Sequence, residues 1–220
     1  MIRVLSRLIS AVALAGSVVF SSQAAFITVN GSTLEVEAVN INEISALSFN
    51  NLYGNSQFSA NTGWEIANEM ITFIAEFNNQ FAIYSIFSDR FDSDTGTAGS
   101  LTFSASGEGT MIFRDDPGES TLGDTVLYNW AADRTDGLIW GTFPEDGIST
   151  IHTFTDVVGL NGITVYSFDD NNIPFVAGTF DFDDNGAVIS YASVNAPATY
   201  GLLMLALCAM SVRARKRQRK

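Results

Sequence analysis

Apolar residues in this chain occur in short runs or alternate with polar ones, and turn residues separate the runs at intervals of about 8 to 12 positions, as in sandwiches and barrels. The clearest case is the pair of runs at 26–29 and 33–39, which flank Asn30-Gly31. Asn-Gly favours the positive φ angles of a two-residue hairpin turn. This pattern predicts a β-hairpin.

Two longer runs, at 70–77 and 81–87, are apolar almost throughout and bracket Asn78-Asn79-Gln80. Such runs are typical of central strands that are buried on both faces. A short helix is predicted near 61–69. Further strands are predicted at 100–104, 109–113, 125–130, 137–143, 150–154, 163–168, 175–182 and 187–193. The predicted fold is all-β: an antiparallel β-sandwich that is jelly-roll-like.

The first 24 residues carry the features of a secretory signal peptide. Arg3 and Arg7 precede an apolar core at 8–20, and Ser22-Gln23-Ala24 supplies small residues at the spacing that signal peptidase reads. We expect cleavage after Ala24, with Ala25 as the second choice. An uncleaved anchor is the weaker alternative, because the apolar core is short and small residues follow it.

A second apolar run lies at 197–212, and a basic tail follows it. The run has 16 residues, fewer than the roughly 20 of a comfortable transmembrane helix, but it can span if basic side chains snorkel and the bilayer thins. Lys and Arg beside an apolar segment stay in the cytoplasm, so a single C-terminal transmembrane helix would leave the preceding domain outside. The basic tail consists of Arg213, Arg215, Lys216, Arg217, Arg219 and Lys220.

The C-terminal segment 194–220 resembles the PEP-CTERM sorting signal of bacterial envelope proteins, in which a Pro-Glu-Pro-type motif precedes an apolar helix and an Arg-rich tail. The matching motif residues are Val194, Pro197, Ala198 and Thr199, while Asn195 and Ala196 stand where the commonest form has Pro and Glu. The resemblance implies processing by an exosortase-type membrane protease and an association with exopolysaccharide and biofilm matrix. An ordinary tail anchor is the alternative. The chain thus divides into a signal peptide at 1–24, an exported domain at 25–193 and a sorting signal at 194–220.

Charge is distributed unevenly along the chain. The basic residues of the exported domain are Arg90, Arg114 and Arg134, and these three stand against all 24 acidic residues, for a formal domain charge of −21. Nucleic acid is therefore not an expected ligand, since phosphate binding needs a basic patch. An acidic polysaccharide would also be repelled unless cations bridge it to the protein. The one cysteine, Cys208, lies in the C-terminal apolar run, so the domain has no disulfide framework.

Few residue types in the domain suit catalysis. His152 is the single histidine, in a predicted strand, and there is no Gly-x-Ser-x-Gly motif and no lysine between 25 and 193. A lone histidine in a strand is more often structural than a base. A secreted glycosidase would need two carboxylates facing each other across a cleft. We therefore expect a protein without enzymatic activity.

Acidic residues gather in turn-like stretches that are candidate Ca²⁺ sites, because hard carboxylate oxygens suit that ion. The stretches at 114–119 and 133–137 could face each other at one end of a sandwich, while 181–186 matches the opening of a calcium loop but lacks its closing Glu. The sequence nevertheless favours structural roles over Ca²⁺ binding: surface salt bridges for the first pair of stretches and a hairpin turn for 181–186. The candidate ligands are Asp115, Asp116, Glu119, Asp133, Asp136, Asp181, Asp183 and Asn185.

Three tryptophans, Trp64, Trp130 and Trp140, are candidates for sugar stacking. Trp64 lies in loop-like sequence and is expected to be the most exposed, whereas Trp140 is expected to be buried. A row of exposed aromatics on one sheet face would indicate a carbohydrate-binding module. The sequence favours a non-enzymatic surface or extracellular-matrix protein that is exported and held at least transiently by its C-terminal helix, with a carbohydrate-binding module as the alternative and a secreted glycosidase as the next.

Overall fold

The computed structural model describes residues 24–44, 46–54, 60–89, 96–116, 119, 121–122, 125–144 and 147–193. The elements, in chain order, are β1 (Ala24–Val29), β2 (Ser32–Glu37), β3 (Val39–Asn40), a 3-10 turn (Ile41–Glu43), α1 (Phe49–Tyr53), β4 (Glu69–Phe77), β5 (Gln80–Phe87), β6 (Gly99–Gly107), β7 (Thr110–Arg114), β8 (Thr121–Leu122), β9 (Thr125–Trp130), β10 (Asp136–Pro144), β11 (Ser149–Val158), β12 (Gly162–Phe168), β13 (Pro174–Asp181) and β14 (Ala187–Ser193). The predicted all-β class is confirmed.

Two tight hairpins form in sequence order, and the first is the one that Asn30-Gly31 predicts. β1 and β2 are joined by Asn30 at φ 46° and Gly31 at φ 87°. β4 and β5 are joined by Asn78 at φ 53° and Asn79 at φ 60°. Asparagine tolerates this left-handed region better than most residues because its short side chain can bond locally, so both tight turns follow from local sequence.

The strands form two sheets that pack face to face. Sheet A has the order β2-β1-β14-β11-β6-β9-β8, and sheet B has the order β13-β12-β4-β5-β10-β7, with β3 also pairing with β4. Between them, the ring of Phe87 in sheet B lies 5.3 Å from Tyr128 and 6.1 Å from Phe154 in sheet A. The sandwich core is therefore an aromatic layer that both sheets contribute to.

Sheet B is covered on its other face as well. A second core cluster there joins Phe73 and Tyr84, whose rings stack at 4.6 Å, to residues from the 3-10 turn and α1. This extra layer explains why β4 and β5 are apolar almost throughout: their side chains are buried on both faces. Sheet A has no corresponding second cluster among the described residues, and its strands alternate between buried and more exposed positions.

Three details differ from the sequence-based predictions. The sheets are not purely antiparallel as a jelly roll would be, because β12 and β3 both run parallel to β4. One side of β4 is occupied by its hairpin partner β5, so β12, which arrives from sheet A, pairs on the other side by a crossover. The helix predicted at 61–69 is wrong: that stretch is irregular, and the short helix is α1.

The third difference concerns the turn at 181–186. β13 is an edge strand of sheet B, whereas β14 lies inside sheet A between β1 and β11. The turn therefore carries the chain from one sheet to the other and does not close a hairpin. β14 has the expected alternation of buried and more exposed residues, but alternation does not reveal which strand is the neighbour.

The predicted signal-peptide core and the segment 194–220 lie outside the described residues. Within the described part, no helix is long and apolar enough to cross a membrane. Ala24, after which cleavage is expected, is the first residue of β1 and is paired with Glu37.

Candidate functional site

Three acidic side chains are buried together at one end of the sandwich: Asp115, Glu119 and Asp136, here called the carboxyl cluster. Asp115 directly follows β7, and Asp136 is the first residue of β10. β7 and β10 are antiparallel partners, and the backbone N–H of Asp115 donates to the carbonyl of Gly137 at 3.1 Å. This pairing brings the two turn-like stretches together, as the sequence suggested. Asp115 is 2% exposed and Asp136 is 1% exposed.

The cluster has fewer hydrogen-bond partners than oxygens. Tyr53, at the end of α1, donates its hydroxyl to Oδ2 of Asp115 at 3.1 Å, and the N–H of Gly137 donates to Oδ1 of Asp136 at 2.7 Å. Nε of Arg114 lies 3.8 Å from Oε2 of Glu119. Oδ1 of Asp115 is buried without a hydrogen-bond partner, and Oδ2 of Asp136 and both oxygens of Glu119 are buried with no hydrogen-bond partner outside the cluster. Unpaired buried oxygens are costly as carboxylates and less so as neutral acids.

Burial accordingly raises the pKa of every carboxyl in the cluster. The pKa of Asp115 rises to about 7, first through loss of solvation and then through the charge of Asp136, while the Tyr53 hydroxyl lowers it. The pKa values of Glu119 and Asp136 are also raised, chiefly by burial. These two side chains interact directly, so they titrate as a pair. The cluster therefore keeps protons at pH values where surface carboxyls have lost theirs.

Gly137 allows the cluster to form because it has no side chain. A Cβ at this position would lie 2.5 Å from the carbonyl oxygen of Ser85 and 2.9 Å from the hydroxyl oxygen of Tyr53. The Tyr53 hydroxyl can thus reach Asp115 only because the residue that follows Asp136 is glycine.

The unpartnered oxygens could accept a proton or a cation. In the described part of the chain, however, no three or more His, Cys, Asp or Glu side chains are arranged so that they could hold a metal ion. Asp116 lies close enough for its charge to raise the pKa of Asp115 and Glu119. Asp133 instead lies in an exposed turn at φ 60°, where its N–H donates to the carbonyl of Gly96 at 3.2 Å.

The stretch at 181–186 is a tight turn. Asp183 and Gly186 bond each other through their backbones at 2.9 Å in both directions, and the N–H of Asn185 donates to Oδ1 of Asp183 at 2.7 Å. Gly186 has φ 104°. Asp183 therefore caps its own turn, as Asp commonly does, and Asp181 ends β13.

The tryptophans do not form an exposed row. Trp64, expected to be the most exposed, is partly buried, with its ring 5.3 Å from Phe73 and 5.0 Å from Phe168. Trp130 is buried, and Trp140, which was expected to be buried, is partly so. The stretch around Trp64 looks like a loop in sequence, but it lies over the second core and packs the ring against it.

His152 is enclosed by aromatic rings. Phe103, Trp140, Phe154 and Tyr191 surround it at centroid distances of 4.8 to 6.4 Å. Neither of its ring nitrogens has a hydrogen-bond partner, and burial lowers its pKa to about 3. It lies in β11 as a neutral core residue, in agreement with the structural interpretation of the sequence.

Sequence reasoning missed Tyr53 as part of the cluster. The available signal was Ser48 and Asn51, a pair that can cap a helix start: the hydroxyl oxygen of Ser48 accepts from the N–H of Asn51 at 3.2 Å. It would have located α1, though not the partner of Tyr53.

Comparisons with protein-family models, curated proteins and solved structures find no match to this chain.

Proposed function

We propose that this chain is a non-enzymatic surface or extracellular-matrix protein, exported by its signal peptide and sorted by its PEP-CTERM-like C-terminus. The observation that carries the proposal is the order of parts at 194–220: a proline-containing motif, an uncharged apolar run of 16 residues and six basic residues. That order suits a stop-transfer element with the domain outside. Signal peptidase and an exosortase-like protease are the implied processing partners.

The position of the last strand supports this division of the chain. β14 ends at Ser193, immediately before the proposed sorting motif, and Ser193 pairs with Ala25, the residue after the expected cleavage position. Cleavage after Ala24 would remove only the first residue of β1, and cleavage between residues 195 and 199 would leave β14 intact. The excess of negative charge in the domain argues against nucleic acid as a partner, and exopolysaccharide is the proposed association.

Intact-mass measurement of the protein from membrane, surface and medium fractions tests the proposal. We expect a released form whose new C-terminus lies between residues 195 and 199 and which lacks the apolar run and basic tail. Replacing all six basic tail residues with Gln should weaken membrane retention, since positive charge fixes the orientation of a marginal apolar segment. Only full-length chains ending at Lys220, in a strain with an active exosortase, would refute sorting and leave a tail-anchored protein.

A further inference from the structure

The outer face of sheet A, turned away from sheet B, is uncharged across five adjacent strands, β1, β14, β11, β6 and β9. Its side chains are given by the alternation of each strand and are here called the neutral face. They are Ala24, Phe26, Thr28, Val188, Ser190, Ala192, Ser149, Ile151, Thr153, Thr155, Ser100, Thr102, Ser104, Ser106, Thr125, Leu127 and Asn129. Hydroxyl side chains predominate, and no Asp, Glu, Lys or Arg occurs among them.

Strand register lines these side chains up in rows across the sheet. One row runs Thr28, Ser190, Ile151, Ser106, and the next runs Val188, Thr153, Ser104, Thr125. With strands about 4.8 Å apart, five strands span about 20 Å. The apolar members are open to solvent: Phe26 is 37%, Ile151 43% and Val188 50% exposed. The face is thus a continuous hydroxyl surface with scattered apolar contacts.

This composition contrasts with the rest of the domain, which carries 24 acidic residues. Among the described residues of sheet A, acidic side chains come near the neutral face only at its borders: Glu35 and Glu37 in edge strand β2, and Asp156 at the irregular end of β11. The neutral face is therefore a large uncharged surface on a strongly acidic domain.

We propose that the neutral face binds an uncharged polysaccharide. Hydroxyls of Ser and Thr can both donate and accept hydrogen bonds, as can the hydroxyls of a sugar. The exposed apolar side chains, with Phe26 at one edge, suit the C–H faces of sugar rings. An acidic polymer would be repelled by the domain's charge, whereas a neutral one meets no charge on this face. The inference rests on the proposed association with exopolysaccharide and names its face and ligand class.

A second copy of this chain fits the neutral face less well. Protein interfaces are enriched in Tyr, Trp, Phe, Met and Arg and depleted in Ser and Ala. Of the enriched types the neutral face has only Phe26, at its edge, and it is rich in Ser. Two copies would also bring two strongly negative domains together.

Affinity electrophoresis and pull-down of the full chain in detergent test the inference, with dextran and cellulose as neutral probes and alginate as an acidic probe. The paired change Ser104→Glu with Thr153→Glu puts charge at the centre of the face, where these residues are directly opposite each other. We expect it to weaken glucan binding at least tenfold. Ser104→Ala with Thr153→Val keeps the face neutral but removes two hydroxyls and should weaken binding several-fold. The control is Thr179→Glu, an exposed threonine of β13 in sheet B, which should bind as the wild type does.

Each other outcome has a definite meaning, provided circular dichroism and melting show that the variants are folded. Glucan binding that both face variants retain would overturn the neutral face while leaving polysaccharide association intact. Binding to alginate alone would overturn the uncharged ligand class. If the wild type binds none of the three polymers, the inference and the polysaccharide part of the proposed function both fail, whereas sorting is judged separately by intact mass. If sedimentation shows a wild-type dimer that Ser104→Glu with Thr153→Glu dissociates, the neutral face would be an interface with a second copy.

Discussion

The hydroxyl of Tyr53 donates a hydrogen bond of 3.1 Å to Oδ2 of Asp115, a residue 62 positions later in the chain. This contact ties α1, which covers the outer face of sheet B, to the end of β7. It is the one side-chain hydrogen bond described for Asp115, whose other oxygen has no partner. The contact is therefore both a link between layers and the main stabilisation of the carboxylate form of Asp115.

Removing this hydroxyl should destabilise the protein in a pH-dependent way. Tyr53→Phe takes a donor from a buried carboxyl, and hydrogen bonds to charged groups contribute about 1.5 to 3 kcal/mol. We expect a loss near that range at pH 8.5, where Asp115 is ionised, and a smaller one at pH 5, where it is protonated. Urea unfolding of the full chain in detergent at both pH values measures the difference.

Tyr84→Phe is the matched control, because Tyr84 donates to the neutral carbonyl of Phe49 at 2.7 Å. Its loss should be the same at both pH values. A loss for Tyr53→Phe that is equally independent of pH would contradict the proposed role of its hydroxyl.

The carboxyl cluster should make the protein less stable as pH rises. An unfolded Asp or Glu has a pKa near 4, and Asp115 has a folded pKa of about 7, so between these values the folded state binds more protons than the unfolded state. The free energy of unfolding then falls through this window, by up to about 1.4 kcal/mol per pH unit for each such group. Asp136→Asn should reduce the slope, since Asn stays neutral. Melting temperatures from pH 4 to pH 9 provide the measurement.

Asp133→Asn serves as the control for this series, because Asp133 is exposed and Asn also tolerates its positive φ. Its slope should equal that of the wild type. Parallel slopes for the wild type and Asp136→Asn would rule out a proton held at this position.

His152 should have the opposite effect on stability: it should make the protein less stable as pH falls. Its folded pKa of about 3 lies below the ordinary value near 6.5, so stability is fully present above pH 6.5 and is lost as pH falls toward 3. His152→Leu removes the titrating group together with two unpartnered nitrogens. We expect the variant to gain stability relative to the wild type between pH 6 and pH 4, by up to about 1.4 kcal/mol per pH unit. If the difference in melting temperature stays constant over that range, a neutral buried His152 is refuted.

Ca²⁺ should raise the melting temperature more at pH 8 than at pH 5. The domain carries a formal charge of −21, from three arginines and 24 acidic residues, and at pH 8 the carboxyl of Asp115, whose pKa is about 7, has largely lost its proton. A cation that binds only the folded state stabilises it by mass action. The comparison uses Ca²⁺ and Na⁺ at matched ionic strength, with Asp136→Asn to isolate the cluster. Equal melting temperatures in the two salts would mean that the acidic stretches do not bind Ca²⁺ specifically and are only turns and charged surface.

Local sequence patterns predicted the features that depend on neighbouring residues, namely strands and tight turns. The strands at 125–130 and 187–193 have the bounds that alternation indicated, and Asn30-Gly31 turns the chain where expected. The parallel pairing of β12 with β4 could not be predicted, because periodicity reports which faces are buried and not which strand lies alongside. For the same reason, the sequence could not predict that the chain crosses from sheet B to sheet A between β13 and β14.

The candidate site was predictable in outline only. Sequence placed Asp115, Glu119 and Asp136 in two stretches that could meet, and the structure brings them together. Their arrangement also depends on Tyr53, which lies 62 positions before Asp115 in the chain. It depends on Gly137 as well, because a side chain there would meet the Tyr53 hydroxyl. Trp64 is only partly exposed, and this could not be predicted for a related reason, since loop-like sequence does not reveal the core surface that the loop covers.

The pairing of Ala25 with Ser193 also has a mechanical consequence. β14 hydrogen-bonds along its length to β1 on one side and β11 on the other. A pull on the chain beyond Ser193, resisted by a polymer lying across the neutral face, would load both ladders of β14 at once and slide the strand along its neighbours. Many hydrogen bonds would then have to break together, so under the proposed anchoring and polysaccharide binding sheet A would resist such tension.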